Sequence, residues 1–186
     1  MGNRLSKIYT RTGDDGTTGL GDGSRIAKDA ARMEVIGSVD ELNCLLGMLR
    51  CELHADDAYD HLIAAMQHDL FDLGGELSIP GYQMLTDQRI TWLEQQLDEI
   101  NADLPPLKNF ILPGGNKAGA CCQLARAVCR RAERDMVTLK QTDDINEAGS
   151  RYLNRLSDLL FVMARALTRR DGGQEVLWQQ REAEQG

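Results

Sequence analysis

Proline placement is the first constraint on this chain. Its prolines stand at 80, 105, 106 and 113, so residues 1–79 and 114–186 contain none. A proline inside a helix removes a backbone donor and clashes with the preceding turn, so both stretches are free to be helical. The apolar residues use that freedom. Val35, Val39, Leu42, Leu46, Leu49 and Leu53 recur at steps of three and four, as do Leu62, Met66, Leu70, Leu73 and Leu77. A shorter stripe follows in Ile90, Leu93, Leu97 and Ile100, with Thr86 or Asp87 as its expected cap. A fourth runs Ala118, Cys122, Ala125, Cys129, Ala132, Met136, Leu139, and a fifth Leu153, Leu156, Leu160, Met163, Leu167. Three-four spacing lays such residues along one helix face, where they form a core.

No segment alternates cleanly with period two. The expected fold class is therefore all-α: a five-helix bundle behind an irregular Gly/Thr-rich N-terminal arm. At 186 residues the chain reads as one domain, able to bury about 70% of its unfolded surface. Its expected parts are an arm over 1–30, a bundle over 31–171 and a polar, frayed tail over 172–186 with Trp178 as an anchor. The fourth stripe is mostly Ala and Cys, which lets neighbouring helices approach closely.

Charge and sulfur narrow the function. With 21 Lys+Arg against 29 Asp+Glu, the net charge is −8, which disfavours unspecific binding to nucleic acid. No run of 18 apolar residues offers a membrane span. The start, Met1-Gly2-Asn3-Arg4-Leu5-Ser6-Lys7, has no apolar leader, and its match to a myristoylation pattern is read as chance. Cys44, Cys51, Cys121, Cys122 and Cys129 are odd in number, contain no CxxC and fall in helical stretches. They are expected as free thiols in a reducing, cytoplasmic compartment.

Four places carry chemistry. The segment Thr10-Arg11-Thr12-Gly13-Asp14-Asp15-Gly16-Thr17-Thr18-Gly19-Leu20-Gly21 combines close backbone approach, hydroxyl donors and a guanidinium. That suits a phosphate cradle, although a flexible arm has the same composition. On the fourth helix Arg126, Arg130 and Arg134 fall in one i, i+4, i+8 line with Glu133 at its edge. They form either a solvated basic face or a site for a polyphosphate. The fifth helix carries Asn154, Asp158, Phe161 and Arg165 opposite its core stripe, and Leu159 to Ala164 is apolar all round. Such a helix is buried on every side, which points to an oligomer contact or a ligand between subunits unless Phe161 is merely exposed. Finally, Asn109-Phe110-Ile111-Leu112-Pro113-Gly114-Gly115 either staples a loop or faces a flat apolar ligand. His54, His61, His68, Asp69, Asp72 and Glu76 are expected on solvated faces, because no Glu-x-x-His metal motif is present.

Taken together, these segments resemble the PduO-type ATP:cob(I)alamin adenosyltransferases from about Ile8 to Arg170. The resemblance rests on Tyr9 to Thr18, Gly37-Ser38-Val39-Asp40-Glu41-Leu42-Asn43, Phe110 to Gly115, Ala125-Arg126, Arg130-Arg131-Ala132-Glu133-Arg134 and Tyr152 to Asp158. It implies a helix bundle assembled as a homotrimer with a site between adjacent subunits, and a chain too short for the extra C-terminal domain of some members. It implies transfer of the adenosyl group of ATP to cobalt, with release of triphosphate.

Carried over by position, Thr10, Arg11, Thr12, Gly13, Thr17 and Thr18 would wrap the triphosphate, and Lys28 and Arg32 would add charge there. Arg130, Arg134, Glu133 and Asn154 would hold the nucleotide, with Glu133 or a neighbour helping to place Mg²⁺. Arg126 would pair with Asp40 across the subunit boundary. Phe110 would press on the lower corrin face and keep water or a base off cobalt. A reductase and an adenosylcobalamin-dependent enzyme would be its partners. The competing class is a non-enzymatic nucleotide-binding bundle with a regulatory or assembly role, which has no need of Phe110 at an apolar cavity.

Overall fold

The computed structural model describes residues 8–54 and 56–180. Two short strands, β1 (Thr17–Gly19) and β2 (Arg25–Ala27), precede five helices: α1 (Ala31–Cys51), α2 (Ala58–Ser78), α3 (Asp87–Ala102), α4 (Lys117–Leu139) and α5 (Glu147–Arg169). A 3-10 turn, Arg170–Gly172, ends the bundle. The all-α, five-helix expectation holds. The arm departs from it, because β1 and β2 pair antiparallel with Thr18 opposite Ile26. Asp22-Gly23 is a hairpin-turn dipeptide, and Gly23 has the positive φ of 87° that such turns require.

Polar contacts fix how the helices run. Arg32, Ser38 and Glu41 on α1 meet Asp143, Asp135 and Arg131, in falling order along the α4 side. α1 and α4 are therefore antiparallel. Asn43 pairs with Gln67, and Arg50 with Asp60, which sets α1 against α2 in the same way. Arg151 meets Asp87 and Arg155 meets Glu94, so α3 and α5 run parallel.

α4 and α5 pack through the small stripe. Cys122, Ala125, Cys129 and Ala132 are fully buried, and the Cys122 and Cys129 thiols each donate to an α5 carbonyl, of Leu160 and Leu153, at 3.2 Å. Burial pushes both thiols far above the usual cysteine range. Gly149 sits where α5 enters the bundle. A Cβ there would come within 2.8 Å of Leu73 and 3.1 Å of Met136.

Three expectations need correcting. α5 is enclosed by its own chain: Leu159, Leu160, Val162, Met163 and Ala164 are all buried, so its apolar girth does not by itself signal a partner. Arg165, placed on the outward stripe, is buried too. Asp69 and Glu76 are not on a solvated face. The Asp69 carboxylate accepts from Arg89 at 2.7 Å and from the Tyr152 hydroxyl at 2.8 Å, and Glu76 accepts from the amides of Met84 and Leu85. A carboxylate enclosed with matched donors is stable where a bare one would not be. Caps follow the chemistry for α2, α4 and α5, where Asp57, Asn116 and Asn146 accept first-turn amides. Thr86 stands at the cap of α3 without making a side-chain capping bond.

Tyr152 is fully buried and Asp69 is the acceptor for its hydroxyl. Asp69→Ala is expected to lower stability by about 1–3 kcal/mol, the cost of an unsatisfied buried donor. A urea midpoint that falls with an unchanged slope is the measurement, and Asp69→Asn, which keeps an acceptor, should lose less.

Candidate active site

The basic line of α4 lies on the outer wall of the bundle, where α3, α4 and α5 meet. Arg126, Arg130, Leu97, Asn101, Asp158 and Phe161 line a groove there of about 390 Å³. Arg126 is half-buried; its Nε donates to Gln123 Oε1 at 2.8 Å and its guanidinium lies 5.8 Å from the Phe161 ring centroid. Burial, and then the neighbouring Arg130, hold Arg126 below the usual arginine range. Among the described residues no carboxylate forms an ion pair with Arg126, Arg130 or Arg134. Arg131, one residue out of line, turns instead to Glu41 on α1. The line therefore has no carboxylate partner within the described chain: Arg130 and Arg134 are exposed, and Arg126 is partly withdrawn from water. One turn along, Asn154 Nδ2 donates to Glu133 Oε1 at 2.8 Å, so these two expected site residues meet across α4 and α5.

The arm is pre-shaped by its own side chains. Arg25 Nη2 donates to the Thr12 carbonyl and to Thr17 Oγ1, both at 2.6 Å. Asp15 accepts the Thr17 amide at 2.9 Å and its hydroxyl at 2.8 Å, and these bonds hold the exposed Asp15 carboxyl below the usual range. The Thr10 and Thr12 hydroxyls are 2.9 Å apart. Lys28 lies over Gly13, where a Cβ would come within 3.1 Å of Nζ. Arg11 takes a left-handed φ of 62° with its guanidinium 5.7 Å from the Tyr9 ring centroid. Thr18 is half-buried in β1. Thr10, Arg11, Thr12, Gly13, Thr17, Thr18 and Lys28 thus cluster with a concentration of donors.

Arg32 does not join them. It is buried, donating to the Leu77 carbonyl at 2.9 Å and to Asp143 at 2.5 Å. The start of α1 points it inward, between the end of α2 and the α4–α5 turn, so its charge is spent on the fold. Arg25, which the sequence reading passed over, does the organising in the arm. The Asp-x-Thr turn at Asp15-Gly16-Thr17 and the Asp22-Gly23 pair were the signals for it.

Phe110 is 78% exposed, at the far end of the bundle from the arm. The expected frayed tail over 172–186 is tethered over its described part, 172–180, and 181–186 lie outside the described residues. Leu112 donates to the Val176 carbonyl and Trp178 to the Phe110 carbonyl, both at 2.8 Å, so Trp178 is an anchor as expected. The 23 residues of α4 separate the two ends by about 34 Å. Asp40 is exposed on α1, in a groove of about 410 Å³ between α1 and α2 lined also by Ile36, Leu70 and Phe71. That groove shares no residue with the one holding Arg126. Within one chain, Asp40 and Arg126 are not brought together. No cluster of three or more metal-ligating side chains exists among the described residues, and no helix there is long and apolar enough to cross a membrane.

Comparison with known proteins identifies the family. The family model described as cobalamin adenosyltransferase matches residues 8–167. A cobalamin adenosyltransferase of Cupriavidus metallidurans is 56% identical over 179 residues, covering 96% of this chain and 97% of that protein. A corrinoid adenosyltransferase of Bacillus subtilis is 44% identical, with 89% of each chain covered. In three dimensions, a variant PduO-type ATP:corrinoid adenosyltransferase from Lactobacillus reuteri, solved with cobalamin and ATP, superposes with a TM-score of 0.90. It is 31% identical, and the match covers 94% of this chain and all of that one. With a family match over most of its length and a relative more than half identical, this chain belongs to the cobalamin adenosyltransferase family.

Proposed function

We propose that this chain moves the 5′-deoxyadenosyl group of ATP onto the cobalt of cob(I)alamin, in a site completed between subunits of a homotrimer. The observation that carries the intersubunit part is the half-buried Arg126 without a carboxylate partner, set on a different face from Asp40. A second copy bringing Asp40 to Arg126 would supply the missing charge. The acidic chain and its helical thiols fit a cytoplasmic enzyme, fed by a reductase and serving an adenosylcobalamin-dependent enzyme.

In the reaction, the electron pair of cobalt forms a bond to C5′ of the ribose. The C5′–O bond breaks, and its electron pair leaves with the triphosphate. Cobalt is the nucleophile, so the protein's work is placement and charge neutralisation. Thr10, Arg11, Thr12, Gly13, Thr17, Thr18 and Lys28 offer hydroxyls, amides and cations to the triphosphate, where negative charge grows as the bond breaks. Arg130 and Arg134 add guanidinium charge from the α4 line, and Asn154 holds Glu133 in position beside them. Phe110 presents an apolar ring to the lower corrin face, excluding water and the dimethylbenzimidazole base. Without a lower ligand cobalt is easier to reduce.

Magnesium fits the donor set. Glu133 is a partly exposed carboxylate held by an amide, and Mg²⁺ commonly binds through one or two carboxylates together with substrate phosphates. Glu133 would hold such an ion, which would neutralise phosphate charge.

Anaerobic incubation with ATP and cob(I)alamin should give the visible spectrum of a cobalt–carbon product together with free triphosphate. ATP binding without that product would favour the non-enzymatic bundle. Arg130→Ala removes a charge-assisted contact and is expected to weaken ATP binding by about 1.5–3 kcal/mol, roughly ten- to a hundredfold, with little change in helical content. Survival of both affinity and turnover would reduce the arginine line to a solvated face. Light scattering should give three times the chain's mass. Asp40→Ala should lower activity, and exchanging the two charges in one double variant, Asp40→Arg with Arg126→Asp, should recover part of it.

A further inference from the structure

Phe110 is an odd wall for a ligand: an exposed aromatic on a loop. Its freedom is nonetheless removed from both sides. Its amide donates to Asn109 Oδ1 at 2.9 Å and its carbonyl accepts from the Trp178 amide at 2.8 Å. Asn109 Nδ2 in turn donates to the Trp178 carbonyl at 2.9 Å, and Ile111 pairs with Leu177 in an antiparallel bridge. The Trp178 ring meets Phe110 edge to face, centroids 6.4 Å apart at 78°.

The tail that brings Trp178 there is itself fastened. Glu175, with its side chain 8% exposed, accepts from Arg165 at 2.6 Å and from Arg169 at 3.1 Å. Arg165 also donates to the Pro105 carbonyl at 2.8 Å. One buried guanidinium therefore ties the start of the Phe110 loop and the tail to α5 together. At the other end of the loop, Thr168 donates to the Gly114 carbonyl at 3.1 Å. A Cβ on Gly115 would lie 2.3 Å from Thr168, so the loop can lie this close to α5 only with glycine there.

We infer that Trp178 is a positioning residue for the reaction, fixing the Phe110 ring against the lower corrin face by an edge-to-face contact and a backbone hydrogen bond. The inference rests on the role given to Phe110 above. An aromatic edge carries partial positive charge and a face partial negative, so the pair prefers one orientation over others that would merely fill space. A Phe110 ring held in one orientation excludes an axial ligand; a ring that turns freely admits one part of the time. Within one chain, Trp178 stands at the opposite end of α4 from the arm.

The test loads wild type, Phe110→Ala, Trp178→Ala, Trp178→Leu and Trp178→Phe with ATP, adds cob(II)alamin, and reads the ratio of four- to five-coordinate cobalt from the visible spectrum. Trp178→Ala and Trp178→Leu should lower that ratio about 2- to 10-fold, the range that an edge-to-face aromatic pair spans. Trp178→Phe should stay near wild type, because it keeps an aromatic edge. ATP affinity should be unchanged in all of them. Adding Trp178→Ala to Phe110→Ala should cause no further fall. Should Trp178→Ala unfold, Trp178→Leu against Trp178→Phe decides the matter. Loss in Phe110→Ala with a wild-type ratio in Trp178→Leu overturns the inference and leaves Phe110 its role. Equal loss in Trp178→Phe and Trp178→Leu overturns it too, because the ring edge is then not the agent. No change in Phe110→Ala overturns the reading of Phe110 and this inference with it.

Discussion

The close antiparallel contact of α4 with α5 is what the rest of the molecule is fitted around. Large side chains would hold these two helices apart. Alanine and cysteine let them approach until buried thiols reach carbonyls of the neighbouring backbone. α5 then becomes the inner post of the bundle. Asp69 of α2 holds it through Tyr152, Glu94 of α3 through Arg155, and the tail through Arg165. Apart from the arm and Asp40, the candidate functional segments are fastened to this post or to its partner. The arginine line rides on the outer side of α4, Asn154 on the outer side of α5, and the Phe110 loop is tied to the last turns of α5.

The helices were legible because their information is local and repetitive. Val35 to Leu53 and Leu62 to Leu77 announce buried faces by spacing alone, and proline marks where helices stop. The polar core was not legible. Asp69 and Glu76 look solvated on a helical wheel, because the groups that satisfy them, Tyr152, Arg89 and the amides of Met84 and Leu85, come from distant parts of the chain. Arg32 misled for the same reason: a cation just after a phosphate-like arm reads as a ligand contact until Asp143, over a hundred residues on, closes on it. In the candidate site, the meeting of Glu133 with Asn154 followed from family resemblance rather than from periodicity. The hairpin in the arm was written in Asp22-Gly23, but strands of three residues are too short to show alternation.

The functional pieces are spread along the bundle rather than gathered in one cleft. A rigid bundle cannot fold its ends together, and the proposed reaction needs the arm and the Phe110 loop at one ligand pair; in the proposed assembly two copies each contribute a different end. The proposed assembly would also answer the electrostatics of Arg126, which is partly withdrawn from water, crowded by Arg130 and without a carboxylate of its own.

The enclosure of α5 bears on how such a protein can change over time. Fourteen of its 23 residues are buried, among them polar Ser157, Arg165 and Thr168. The outward strip that remains includes Asn154, Asp158 and the half-exposed Phe161, and these border the arginine groove or bond to Glu133. Most positions of the helix therefore answer either to packing or to the proposed site. Substitution is least constrained on the part of α3 away from Leu97 and Asn101 and on the part of α2 away from the groove around Asp40. Divergence among copies of this fold should accumulate there first, while α5 changes only in concert with the helices that surround it.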